Sequence, residues 1–461
     1  MTVPSQRGPT PSSAPGSLRA AQVFFGLGIA LLPFQQAFTI TTFATLKFSE
    51  IFALAGTILA VFGSPQSRGR MVGRGSIALM AAFTAISAVV AVVRSEPDLT
   101  APGYIISLDD DTLVYAAYAL FSLAVATALF RYGELGRMLK AIRISVFIAG
   151  SYAAVQLVSW LIGLDLLGWT GGTTQIGTLF GFALPRNGSF LEGNYLGFFA
   201  GATLFLSIQM KDRIATLISA LLVVYSESTV GLIGVGVALA MLVVGNSRPR
   251  SKLAAIGSAG LAIIMAFLFA PTQRFLLAQM AKLGLAENTY GEAIDYSLRA
   301  RLAAANAGFS MAREQPLTGI GPGRFGYEFH NYVNTSSIPT NYGTGIERFI
   351  ANNAYVQIAA ELGMLALGAF VTLLVVTIIA AKRTSSALLS AISYIAVASF
   401  AAPSWTTLVI WIPFGITSAS IGEFLTQNVS LSRGKHLMWH AKRQVASDNA
   451  TLTIEERETL A

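Results

Sequence analysis

The chain has 461 residues, 54% hydrophobic and 12% charged, with a net charge of +8. A typical soluble domain carries about 25% charged residues, so an ordinary soluble enzyme is excluded. With no cysteine and only three histidines, His330, His436 and His440, a disulfide framework, an iron–sulfur cluster and thiolate zinc sites are excluded too, and little is left for an imidazole metal site.

The apolar residues cluster in runs of about twenty, the length that crosses a ~30 Å hydrocarbon core as helix. The pattern predicts an all-α polytopic membrane protein. Residues 1–19, rich in Pro, Ser, Gly and Thr with no apolar core, read as a disordered cytoplasmic tail and not a cleaved signal. A transmembrane region over 20–425 follows, with about twelve spans near 20–38, 48–63, 76–93, 113–130, 144–163, 191–209, 214–227, 229–245, 253–270, 354–381, 386–402 and 406–425. Residues 426–461 form a second cytoplasmic tail, whose basic and then acidic stretches suit either an amphipathic helix on anionic lipid or a solvated segment. Arg68, Arg70 and Arg74, then Arg131, Arg137, Lys140 and Arg143, then Lys211 and Arg213, then Lys382 and Arg383 all fall on the side of the N-terminus. By the positive-inside rule both termini are cytoplasmic, and the basic excess sets topology without implying nucleic acid. Residues 214–245 read as two short helices, because one overlong helix would reverse every later loop.

Two outside segments break the run of short connections: 164–190, and 271–353 between the ninth and tenth spans. Long loops of this kind carry function. Arg186 stands just before the sixth span, with Glu192 and Asn194 in its first turns. In the long loop, Leu298 to Arg313 can form a helix bearing Arg299, Arg301 and Arg313, and PLTGIGPG is a turn rich in positive φ. Planar, permanently charged guanidinium groups suit a pyrophosphate whose bond is breaking. Arg186 and Arg301 are the candidate ligands, with Arg299 in reserve. The glycines of GIGPG read either as backbone donors or as a plain tight turn. At the start of the tenth span Asn353, Gln357 and Glu361 share a helix face, with Asn352 one position earlier. An ionisable Glu361 two turns into a span faces the bundle interior. Capping by the asparagines and an interhelix bond by Glu361 are the structural alternative to a catalytic role.

These residues resemble the motifs of the O-antigen ligase/polymerase superfamily of bacterial membrane proteins. They comprise an arginine ahead of a G-S-F…N stretch (Arg186, Gly188, Ser189, Phe190, Asn194), an arginine ahead of P-L-T-G-x-G-P-G-x-F (Arg301, then Pro316 to Phe325), and a stretch resembling H-N-x-Y-L-Q-x-x-x-E-x-G (Asn352 to Gly363). The resemblance implies about a dozen helices with a late extracytoplasmic loop, in the bacterial inner membrane. It implies an inverting glycosyl transfer, with no metal or cofactor, from an undecaprenyl-pyrophosphate-linked glycan to an acceptor glycan, with a chain-length regulator as a further partner.

The departures bear on mechanism. Ligases carry a histidine where this chain has Asn352, and asparagine cannot take a proton at pH 7. Ser228-Thr229 stands where a serine-arginine is common, and Ala305 where a tryptophan is expected. The reading is therefore a polymerase of exopolysaccharide, capsule or O-antigen repeat units, with an O-antigen ligase acting on lipid A-core as the alternative. Glu361, or else His330, is the candidate base; otherwise the proton is lost late, with Asn352 and Asn353 orienting the acceptor. A twelve-helix transporter or lipid-carrier flippase shares the helix count, but its longest link would lie in the middle and inside.

Overall fold

The computed structural model describes residues 16–37, 40–41, 45–63, 74–94, 112–179, 182–245, 270–282, 285, 292–333, 350–400 and 404–425. The expected ninth span, most of the N-terminal tail, the C-terminal tail and part of the long loop lie outside these residues.

Helix forms at every other expected span. In chain order the described helices are α1 (Gly16–Ala30), α2 (Phe48–Gly63), α3 (Arg74–Arg94), α4 (Thr112–Tyr132), α5 (Leu135–Leu161) and the short α6 (Leu166–Trp169). Then come α7 (Gly193–Gln209), α8 (Arg213–Tyr225), α9 (Thr229–Gly245), α10 (Ala270–Ala281), α11 (Glu292–Glu314) and α12 (Arg324–Tyr332). The last are α13 (Ala354–Lys382), α14 (Ser386–Ala398) and α15 (Leu408–Leu425). Three of them, α5, α13 and α15, are long and apolar enough to cross a membrane, and six shorter helices are apolar.

The first expected span stops early. The helix ends at Ala30 and a turn carries the chain through Pro33, whose ring and missing N–H do not continue a helix. The stretch 214–245 is two helices, broken at Ser226 to Ser228 with Glu227 at φ 48°. The fold is also not purely helical. A hairpin pairs β1 (Ile40–Thr41) with β2 (Thr45–Leu46), and a second pairs β3 (Ile176–Leu179) with β4 (Phe182–Pro185), register Ile176 to Pro185. The second hairpin falls in the 164–190 loop, where a short pair of strands satisfies backbone groups that no helix reaches.

The centre of the bundle is α7, buried on nearly every face. A helix apolar all round is an interior helix. Tyr394 of α14 donates to the Gly197 carbonyl at 2.6 Å, and its ring lies where a side chain at Gly201 would stand. On the far side Phe83 of α3 meets Phe370 of α13 at 5.9 Å, Trp405 at 5.9 Å and Trp411 of α15 at 5.8 Å. A second, smaller core gathers Ala303, Ala307 and Met311 of α11, Phe325 and Phe329 of α12, and Val356 and Ala360 of α13. It seats the long-loop helices on the first turns of α13. Outward apolar side chains such as Phe62, Val92 and Leu161 stay exposed, as lipid-facing positions do.

Candidate functional site

The loop before α7 is locked by its own side chains. Asn187 donates to the carbonyls of Thr173 and Phe190, both at 3.0 Å, and accepts from Gln175 N–H at 3.2 Å. Ser189 donates to the Pro33 carbonyl at 2.7 Å, tying the G-S-F stretch to the turn after α1. Gln175 Oε1 then accepts both the Gly193 N–H at 2.9 Å and the Arg186 guanidinium at 3.4 Å. The start of α7 passes so close that a Cβ on Gly193 would stand 3.3 Å from Arg186 Nε and 2.6 Å from the Ser226 carbonyl. A glycine is needed there for the approach.

The turn between α8 and α9 is the hub. Ser228 donates to Asn194 Oδ1 at 3.2 Å, Thr229 to Gln279 of α10 at 2.6 Å, and Glu227 Oε2 accepts the Thr178 N–H of β3 at 3.1 Å. Glu227 is 4% exposed, and its Oε1 is buried with no hydrogen-bond partner among the described residues. Its carboxylate lies against Gly177, where any side chain would collide with it. Lys282, just past α10, reaches the Glu227 carbonyl at 3.5 Å.

These groups act on one another. Burial lowers the Arg186 guanidinium from its ordinary value, and the Glu227 and Glu192 carboxylates partly offset this. Burial raises the Glu227 carboxyl, opposed by Lys282, the Thr178 N–H and Arg186. Burial, with Arg186 and Arg301 adding to it, brings the Lys282 ammonium down to about 8 against the pull of Glu227. Arg186 and Arg301, from separate loops, thus both act on the charge of Lys282, and Arg186 and Lys282 on that of Glu227. Neither Lys282 nor Glu227 was singled out from the sequence. The signal for Glu227 was a lone acid between two apolar runs, in YSESTV; Lys282 stands in no motif.

The other expected site residues lie around the start of α13. Asn353 is its N-cap, its side chain accepting from the N–H groups of Tyr355 and Val356, both at 3.1 Å. Asn352 is half-buried with φ 50°, a left-handed conformation asparagine tolerates. Glu361 is 1% exposed; Gln357 donates to its Oε1 at 3.2 Å and the Trp405 indole to its Oε2 at 3.0 Å. Arg299 and Arg313 are exposed on α11 and Arg301 is half-buried. His330 lies in α12.

The glycine-rich turn has a structural employment. Gly319, Gly321 and Gly323 have φ of 62°, 111° and 75°. Ile320 N–H donates to the Ala360 carbonyl at 2.8 Å, Gly321 N–H to the Glu361 carbonyl at 3.0 Å, and Met364 N–H to the Pro316 carbonyl at 2.7 Å. Those donors close onto a kink in α13 at Gly363 (φ 81°, ψ 177°), so two N–H groups of the turn are spent on the helix.

Fold and site define an integral membrane protein whose loops gather guanidinium and ammonium groups around a buried carboxylate, an arrangement suited to an anionic headgroup. Residues 214–371, about a third of the chain, match the family described as O-Antigen ligase. That third of the chain is similar to the O-antigen ligase family, a likeness that supports glycosyl transfer in polysaccharide assembly. Comparison with curated proteins finds no match. Glu227, Lys282, Arg301 and Glu361 fall inside the matched residues, and Arg186 outside them.

Proposed function

We propose that the protein polymerises polysaccharide repeat units carried on undecaprenyl pyrophosphate, on the outer side of the bacterial inner membrane, with both termini in the cytoplasm. The observation that carries this reading is that the Arg186 side chain and the Lys282 ammonium both lie at the α8–α9 turn, beside the Ser226 and Glu227 carbonyls, with the charge of Arg301 also felt at Lys282. Three half-buried cations near a single carboxylate leave an excess of positive charge, which suits an anion carrying more charge than that carboxylate. The polymerase reading over the ligase rests on Asn352, which stands where ligases carry histidine.

In the reaction an acceptor hydroxyl oxygen forms a bond to the sugar carbon that carries the pyrophosphate. The bond from that carbon to the pyrophosphate oxygen breaks, its electrons leave with the lipid pyrophosphate, and the configuration inverts. Arg186 and Arg301 offset charge developing on the leaving oxygen in a site poor in water, where such donors act most strongly. The hydroxyl proton is lost late to solvent, since the pyrophosphate is a good leaving group without a strong base. Asn352 orients the acceptor, Asn353 holds the helix start beside it, and Glu361 positions this region through Trp405. Arg299 and His330 serve as the next candidates for anion ligand and base.

The test is a polymerisation assay with purified protein in lipid nanodiscs and undecaprenyl-pyrophosphate-linked repeat units, read as a ladder of products without added lipid A-core. Arg186→Lys and Arg301→Ala each slow the ladder about a hundred- to a thousandfold while the protein still inserts, the effect of losing one donor to developing charge. A near-normal rate for Arg301→Ala overturns the assignment of Arg301. A product that appears only when lipid A-core is supplied overturns the polymerase reading in favour of the ligase.

A further inference from the structure

Resting on the pyrophosphate reading above, we propose that Lys282 is a third cationic ligand of the lipid pyrophosphate and that Glu227 is the resident counter-ion that positions it. Three observations converge on this assignment. Lys282 and Arg186 come to the same α8–α9 turn, Lys282 Nζ at the Glu227 carbonyl and Arg186 Nε beside Gly193, where a Cβ would stand 3.3 Å from it and 2.6 Å from the Ser226 carbonyl, and the ammonium also feels the charge of Arg301 on α11. Its position is set from both sides, by the contact of Nζ with the Glu227 carbonyl at 3.5 Å and by Gln279, one turn earlier on α10, which accepts from Thr229 at 2.6 Å. Glu227, for its part, is 4% exposed, on a backbone at φ 48°, with Oε1 buried and without a hydrogen-bond partner among the described residues. A buried carboxylate oxygen left without a donor, on a strained non-glycine residue, is costly and marks a functional position.

The arithmetic of charge explains the carboxylate. Without a ligand, Arg186, Lys282 and Arg301 repel one another, and Glu227 supplies the negative charge that keeps them assembled. A pyrophosphate brings more negative charge than one carboxylate and becomes the common partner of all three. A lysine serves here as a compact point charge beside two forked guanidinium groups. Unlike them it titrates, and burial together with Arg186 and Arg301 brings its proton within the alkaline working range, at about 8, with Glu227 holding it up.

The experiment measures binding of geranyl pyrophosphate, a short water-soluble polyprenyl pyrophosphate, to the full chain in nanodiscs from pH 7 to pH 10. For the unaltered protein, affinity is highest below the Lys282 pKa and falls as pH rises through about 8. Lys282→Arg binds at neutral pH and loses that alkaline fall, because guanidinium stays charged. Lys282→Met weakens binding at pH 7 by about tenfold or more, as expected on losing a charge-assisted donor, and its affinity no longer falls with pH. Glu227→Gln moves the fall to lower pH, because the group that raised the Lys282 pKa is gone; a merely structural Glu227 would leave the midpoint in place. The Lys282 proposal is overturned if Lys282→Met and Lys282→Arg both bind with the unaltered protein's affinity and pH profile while Arg186→Ala and Arg301→Ala lose binding. If Arg186→Ala and Arg301→Ala also bind normally, the pyrophosphate reading of the whole site fails.

Discussion

Glu361 shows how a single residue's chemistry depends on what encloses it. Both carboxylate oxygens already accept hydrogen bonds, from Gln357 and from the Trp405 indole, and the side chain is 1% exposed. Glu361→Gln keeps the shape but offers one acceptor where two donors point, so one of the two bonds is lost. A bond of this kind to a buried charged group is worth about 1.5–3 kcal/mol, and the variant should unfold at a lower temperature in nanodiscs. Polymer formation should continue with an unchanged dependence on pH. If the variant instead keeps its melting temperature and loses both activity and any rise of rate with pH, Glu361 is the general base. The polar stripe of Asn353, Gln357 and Glu361 was visible from its four-residue spacing; Trp405 as partner was not, since it lies on a distant segment and carries no spacing that announces the bond.

At the scale of elements, the long loop works by docking a turn onto a helix. The PLTGIGPG turn and the kink of α13 at Gly363 interlock through the bonds of Ile320, Gly321 and Met364. At φ 81° and ψ 177°, Gly363 occupies a region open essentially to glycine alone, and an added side chain would collide with the Leu317 carbonyl. Gly363→Ala should therefore cost at least the ~1–3 kcal/mol of backbone strain. It should lower the melting temperature and, by shifting α11 and Arg301 with the turn, reduce the polymerisation rate. An alanine variant as stable and active as the parent would show that turn and kink are not coupled. The sequence disclosed the turn through its glycines, but left open whether its N–H groups face a ligand or a helix. Backbone donors go to whichever acceptor lies within reach, and the carbonyls of Ala360 and Glu361 do.

Across the whole molecule, the outside-facing assignment makes one clean prediction, because the chain has no cysteine of its own. Single cysteines at Glu314 and at Arg383, both exposed, should differ in intact cells. An impermeant thiol reagent should label position 314 and leave 383 unlabelled until the membrane is opened. Labelling at 383 alone would reverse the topology and place Arg186 and Arg301 on the cytoplasmic side.

Among the described residues, most of the helix placement and the break within 214–245 were legible in the order of residues, though the helix expected over 20–38 ends at Ala30. Apolar run length, charge punctuation and glycine content are local properties, and each constrains the chain where it stands. The meeting of Arg186, Lys282 and Arg301 around Glu227, the bond from Trp405 to Glu361 and the seating of α11 on α13 were not. Each is a contact or a charge interaction between residues far apart in sequence, created when buried surfaces and close helix approaches bring separate loops together. A single charged residue such as Lys282 looks the same in sequence whether it faces water or completes a site. Packing around α7 and α13 is what distinguishes the two, by removing water and placing the other charges within reach.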